Sequence, residues 1–315
     1  MVDYLDEIVG QETAKQFIRT ALKSGNLYNF LLCGPKGVGK RLFAFALAKL
    51  LNCPYHTPNF ILITPIPSKI KEKKDKIHEY TTQYLPTNSV VEVEDRASIL
   101  IEQIRDLIER LIHMPSLGAK RVVLILEADR MTDEAANCFL KTLEEPPLDT
   151  VFILTTSRPN FLLPTIHSRC QKVPFTYLNN EQINNIVFEG HDEFQLGSPG
   201  EILMLQQNSL VSNVFDIFIK APLDIQTAAT LANDLQGKKL MDLFYPLLLF
   251  YRLVFYQKMG MAVNTKNKQE VMKKANNISL EKITGAIMLL NNSINSLDQN
   301  PNRLLLLFNV LIQLP

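Results

Sequence analysis

The chain has 315 residues, of which 46% are hydrophobic and 21% charged, with a formal net charge of +1. That length accommodates two or three globular domains, and the composition excludes a disordered polyelectrolyte. So small a net charge gives no global signal for nucleic acid, so any such contact has to be local or shared with partners.

The four cysteines, Cys33, Cys53, Cys138 and Cys170, contain no C-x-x-C pair. Nothing in their spacing suggests a disulfide framework, and the pattern fits a reducing, cytoplasmic compartment. The start, Met1-Val-Asp-Tyr-Leu-Asp-Glu, is acidic and lacks the apolar core of a signal peptide.

In chain order, Phe30-Leu-Leu-Cys33 predicts a strand, and Leu42, Phe43, Ala46, Leu47, Leu50 and Leu51 predict a helix by their spacing. The turn between them is Gly34, Pro35, Lys36, Gly37, Val38, Gly39 and Lys40, a complete G-x-x-x-x-G-K phosphate-binding loop. Its glycines let phosphate approach the backbone N–H groups at the start of a helix, and its lysine supplies charge. The next residue, Arg41, stands where an ATPase carries the Ser or Thr whose hydroxyl binds magnesium. A guanidinium has no lone pair for a metal, so the loop is expected to cradle phosphate without setting up hydrolysis.

Phe60-Ile-Leu-Ile63 predicts a second strand. The Lys- and Glu-rich stretch 69–83 reads as a solvated surface excursion, with a DNA-contacting patch as the alternative. Ile99, Leu100, Ile104, Leu107, Ile108 and Leu111 mark an amphipathic helix, followed by apolar strands at Val122–Leu126 and Val151–Leu154. Between these strands a helix starts at Thr132, carries Asp133 and Glu134 in its positive first turn, buries Ala136, Phe139, Leu140 and Leu143, and stops before Pro146-Pro147. Alternating strands and helices argue for a parallel sheet. After Pro174 the pattern is helical, with a break near Gly197-Ser-Pro-Gly200 and a linker around Lys220-Ala-Pro222. The apolar run Leu243–Tyr256 holds Pro246 and Arg252, falls short of a membrane span and reads as a buried helix, so no membrane contact is expected.

Several of these segments together resemble the bacterial DNA polymerase III clamp loaders, an AAA+ family. They are Ile8-Val-Gly-Gln11, the loop at 34–40, Arg121–Met131, Thr142-Leu-Glu-Glu-Pro-Pro147 and Leu163-Pro-Thr-Ile-His-Ser-Arg-Cys170. The resemblance covers residues 1–177 closely and the remainder loosely, through Gly197-Ser-Pro-Gly200 and Asn300-Pro-Asn-Arg-Leu304. It implies an α/β P-loop AAA+ parallel-sheet domain over 1–177, a small helical lid over 178–221 and an all-α collar over 222–315.

Active members of that family end the Walker B strand in Asp-Glu, whose Asp supports magnesium and whose Glu orients the attacking water. Leu126 and Glu127 occupy those positions here, so the metal loses a second support; Glu127 is either a base without a metal or a plain solvent-facing carboxylate. Thr155 and Thr156 fall at the sensor position and keep a hydroxyl there. Where a motor subunit presents a lid arginine, this chain has Gly200 followed by Glu201.

Arg169 of Ser-Arg-Cys is the one catalytic part left intact. The resemblance implies that it acts in trans, as an arginine finger on a neighbouring ATP site; a local carboxylate partner is the competing reading. The combination is similar to the family's delta-prime type, a stator in a hetero-pentameric ring with gamma/tau-type motor subunits and a delta subunit. That ring loads a sliding clamp onto primer-template DNA. The alternative is a gamma/tau-type motor that hydrolyses ATP itself. No independent ATPase is expected, and the chain's own loop is expected to hold ATP or ADP, if anything, without productive Mg²⁺. No metal site is expected either: only Cys53 and His56 occupy the region where delta-prime relatives often carry a four-cysteine zinc module.

Overall fold

A computed structural model describes residues 3–25, 27–67, 69–70, 74–87, 91, 97–115, 119–186, 197–207, 210–261, 263, 265, 267–297 and 301–315. The chain forms two compact units, Met1–Ile186 with Gly197–Glu201, and Val187–Leu196 with Ile202–Pro315.

The first unit alternates strand and helix. Helix α1 (Glu12–Ser24) precedes strand β1 (Phe30–Cys33), and helix α2 (Lys40–Leu50) follows the Gly-rich turn. Strands β2 (Phe60–Ile63) and β3 (Ile66–Pro67), helix α3 (Lys74–Thr82), strand β4 (Ala97–Ser98) and helix α4 (Ile101–Leu111) come next. Then follow strand β5 (Arg121–Ile125), helix α5 (Asp133–Glu144), strand β6 (Thr150–Thr156), the short helix α6 (Pro164–His167) and strand β7 (Gln171–Pro174). Helix α7 (Asn180–Asn184) is short and carries a capping box between Asn179 and Gln182.

Five strands pair in parallel in the order β2-β5-β6-β1-β7, while β3 and β4 form a separate antiparallel pair. Side chains alternate across a strand with a period of two, and the sequence uses both faces. Phe30, Leu32, Val122, Leu124, Val151 and Ile153 join one core with α1 and α2. Leu31, Val123, Ile125, Phe152 and Leu154 join the other with α4 and α5. Burial on both faces is why β5 and β6 read as continuous apolar runs. The register Cys33↔Thr156 brings the end of β1 beside the end of β6, so the loop after β1 and the residues after β6 face one crevice at the carboxyl edge of the sheet.

Helix α5 starts where expected, with the Thr132 side chain accepting from the N–H of Ala135. Several features differ from the sequence reading: Ile99 and Leu100, read as part of the amphipathic helix, precede α4, with Ile99 bridging Met131, and α1, β3 and β4 were not anticipated. Strand β7 carries one fully buried apolar side chain, Val173, and lies at the sheet edge, so it offers no apolar run. Part of the 69–83 excursion folds as α3, whose following turn buries Tyr84; residues 71–73 lie outside the described residues.

In the second unit, α8 (Pro199–Gln207), which begins in the first, is followed by α9 (Val211–Lys220), α10 (Ile225–Leu235), α11 (Met241–Lys258), α12 (Lys268–Asn277), α13 (Leu280–Ser296) and α14 (Arg303–Gln313). Helix α11 is apolar around its circumference and lies in the middle of that core, with Leu243, Phe244, Leu247–Tyr251, Leu253 and Val254 buried. Asp224, Ser279 and Asn302 cap α10, α13 and α14 through their side-chain oxygens. Lys274 is buried beneath the Phe218 ring and donates to the carbonyl oxygens of Phe218 and Ala221, the latter at 2.9 Å. No helix among the described residues is long and apolar enough to cross a membrane.

Candidate functional site

The loop 34–40 has the backbone that its glycines allow. Gly37 and Gly39 take positive φ of +73° and +97°, and a Cβ at Gly34 would stand 2.3 Å from the Phe175 carbonyl oxygen. Gln11 ties this loop to the segment that follows β7. Its side-chain amide donates to the carbonyls of Thr176 (2.8 Å) and Val38 (3.3 Å), and its Oε1 accepts from the Thr176 N–H at 3.1 Å. That explains why a buried Gln closes the Ile8-Val-Gly-Gln segment, for which the sequence alone supplied no physical role.

Lys40 opens α2 and turns back into the loop. Its Nζ donates to the carbonyls of Gly34 (2.6 Å) and Pro35 and to Ser157 Oγ at 3.0 Å. Three acceptors match the three protons of an ammonium group. Burial pulls its pKa down to about 8, against the opposing pull of Glu127 and Asp129.

Arg41 and Leu126, expected from the sequence to stand in place of metal ligands, are engaged within the chain. The Arg41 guanidinium donates through Nη1 to the carbonyls of Tyr84 (3.1 Å) and Leu85 (3.3 Å), where it ties α2 to the turn after α3. Leu126 is 2% exposed and belongs to the apolar core shared with α1 and α2. Glu127, at φ +51°, does not simply face solvent: its Oε2 accepts from Arg130 Nε at 2.8 Å.

The hydroxyls of Thr155 and Thr156 are engaged within the chain. Thr155 Oγ1 accepts from the Glu127 N–H at 3.0 Å, and Thr156 Oγ1 donates to Asp129 Oδ1 at 2.7 Å while accepting from the Arg158 N–H. Asp129 Oδ2 also takes Arg158 Nε at 2.9 Å, so this nearly inaccessible carboxylate, 3% exposed, is paired on both oxygens. Ser157 and Arg158 lie outside the segments singled out in the sequence, and Asp129 lies inside Arg121–Met131 but past the two positions, Leu126 and Glu127, that were read there.

The start of α8 closes over the loop. Ser198 Oγ donates to the Lys36 carbonyl at 2.7 Å, and the Gly200 N–H donates to the Gly37 carbonyl at 3.0 Å. Gly200 is a packing requirement here, since a Cβ would lie 2.8 Å from Gly37 Cα.

Arg169 stands apart from this loop, at the rim where β7 begins. Its Nε and Nη2 both donate to Glu144 Oε1, the former at 2.8 Å, and Nη1 donates to the Thr165 carbonyl at 2.8 Å and Ser168 Oγ at 3.1 Å. The Asn29 side-chain amide donates to the carbonyls of both Leu143 (2.8 Å) and Arg169 (3.0 Å). An open groove of about 660 Å³ borders the pair, lined by Tyr28, Pro146 and Gln171 among others. Burial pushes the Cys170 thiol up to about 12. Among the described residues no group of His, Cys, Asp and Glu is arranged to hold a metal ion; Cys53 is buried with its Sγ 3.6 Å from Thr57 Oγ1.

A family model described as DNA polymerase III, delta subunit, matches residues 10–179. The chain belongs to that family. The relatives it resembles include tau, gamma and delta' subunits of DNA polymerase III. The chain is 32% identical over 180 residues to DNA polymerase III subunit tau of Escherichia coli, covering 57% of this chain and 26% of tau. It is 34% identical over 149 residues to the delta' subunit of Pseudomonas aeruginosa, covering 47% of this chain and 43% of that subunit. The matches thus span less than half the length of these relatives. A DNA polymerase III gamma subunit-related protein from Thermotoga maritima aligns over 95% of this chain and 97% of its own, with 20% identity and a TM-score of 0.47.

Proposed function

We propose that the chain is a delta-prime-type stator of the DNA polymerase III clamp loader. It does not hydrolyse ATP itself, and it supplies Arg169 to the ATP site of a neighbouring motor subunit. The observation that carries this reading is what stands at the two positions where a motor would support the metal: Leu126 is packed into apolar core, and the Arg41 guanidinium donates to backbone carbonyls. Removing one preorganised electrostatic contact typically costs roughly 10²–10³ in rate, and here two are missing.

ATP or ADP at the chain's own loop would have to displace the acceptors that occupy Lys40, and would bind without productive Mg²⁺. The loop then serves as a scaffold, tied by Gln11, Ser198 and Gly200. The partners of this reading are gamma/tau-type motor subunits and a delta subunit in a five-membered ring, acting on a sliding clamp and primer-template DNA in the cytoplasm. Residues 222–315 form the collar of that ring.

The identity to tau over 180 residues supports a second reading, a motor subunit of the gamma/tau type. Turnover of ATP by the isolated chain decides between them. The stator reading predicts none above background; turnover that Lys40→Ala abolishes would establish the motor.

A further inference from the structure

We propose that Glu144 is a positioning residue whose carboxylate occupies, in the unassembled chain, the edge of Arg169 that a phosphoryl oxygen takes when a neighbouring nucleotide arrives. The inference rests on the finger role proposed for Arg169.

The geometry separates the guanidinium into two halves. Nη1 is held by acceptors that Arg169's own neighbourhood supplies, the Thr165 carbonyl and Ser168 Oγ. The opposite edge, Nε with Nη2, converges on a single oxygen, Glu144 Oε1. That convergent edge is the half of an arginine that suits an anionic oxygen. Glu144 is the more accessible member of the pair, its side chain 47% exposed against 27% for Arg169. A carboxylate oxygen and a phosphoryl oxygen make the same demand on this edge, so the two compete for it.

The frame around the pair is fixed independently of the pair. The two protons of the Asn29 side-chain amide bind the carbonyl of Leu143, next to Glu144, and that of Arg169 itself. Asn29 is 3% exposed and directly precedes β1, so the two backbones are tied to the strand that lies between β6 and β7. Exchange of one anion for another then needs only a side-chain rotation of Glu144, with Arg169 already aimed. An exposed ion pair is weak enough to yield: its strength corresponds to a factor of about 1.5–5 in an equilibrium constant.

The test is a double-mutant cycle on the complex reconstituted from the full chain and its motor partner, read as ATP turnover at saturating ATP. Glu144→Gln removes the competing charge and keeps the shape, and the expected result is a rise of about 1.5–5-fold in Arg169-dependent turnover. In an Arg169→Ala background the same substitution should change nothing. A purely structural Glu144 would give no rise. If Glu144→Gln leaves turnover unchanged or lowers it while Arg169→Ala lowers it, the place-holder role is overturned and the finger reading stands. A rise that persists without Arg169 also overturns it. If Arg169→Ala has no effect, the finger reading falls and this inference falls with it. In the isolated chain, solvent exchange of the Arg169 Nε–H by NMR should quicken in Glu144→Gln; unchanged exchange contradicts the pairing.

Discussion

The Gly200 N–H donates to the Gly37 carbonyl across 3.0 Å, and neither residue leaves room for a Cβ against the other segment. The contact joins the start of α8 to the phosphate-binding loop inside one compact unit. Gly37 combines two demands, positive φ and a tight neighbour: a Cβ there would meet Ser198 Oγ at 2.4 Å and the Glu201 amide nitrogen at 2.8 Å. Gly39 has positive φ but nothing within 4 Å. Gly37→Ala should therefore destabilise the first unit by roughly 1–3 kcal/mol, and clearly more than Gly39→Ala, in urea denaturation. Equal losses would mean that backbone strain alone sets the cost.

Lys40 and Lys274 make stability depend on alkaline pH in an unusual direction. Burial lowers each from 10.5 to about 8. Between those values the unfolded chain binds more protons than the folded one, so the contribution of each lysine to stability rises with pH. Below pH 8 both states are protonated, and the full cost of burying the charge is present. Replacing either lysine with Met should flatten the rise in denaturation midpoint between about pH 8 and pH 10. An unchanged slope would show that the lysines are not depressed in the folded chain.

The legible parts of the fold were those whose burial leaves a pattern. Strands β1 and β2 appear in the sequence at their observed bounds, and β5 and β6 within a residue or two, because both faces of the sheet are covered and the strands are continuously apolar. The Thr132 cap and the buried helix α11 were legible for the same reason, that local chemistry matched tertiary burial. Strand β7 was not, because an edge strand with one buried side chain carries no periodic signal. At the site, motif residues were found and their partners were missed. Arg41 could be read as the wrong residue for a metal, but its carbonyl acceptors at Tyr84 and Leu85 are far away in sequence. The same holds for Asn29, which reaches Leu143 and Arg169 across more than a hundred residues of chain. Hydrogen bonds between distant segments leave no spacing rule to read.

Leu126 offers a test of the proposed loss of metal support at this position. Leu126→Asp would restore the Walker B carboxylate in name, but it places a charge at a position 2% exposed among apolar neighbours. Burying an unpaired carboxylate costs several kcal/mol, so the variant should lose roughly 2–5 kcal/mol of stability. It should gain no ATP turnover, even combined with Arg41→Ser, since Lys40 and Thr156 are engaged elsewhere. Turnover in the double variant would show that the loop remains poised for hydrolysis.

The central claim is that the chemistry this chain supports takes place on a neighbouring subunit through Arg169. The most direct measurement is ATP turnover by the reconstituted clamp-loader complex, with clamp and primed DNA present, when this chain carries Arg169→Ala. The account predicts normal assembly by sizing and a large loss of turnover at the site Arg169 serves, on the order of 10³-fold or more for an arginine finger. Full turnover by an intact complex containing Arg169→Ala would contradict it.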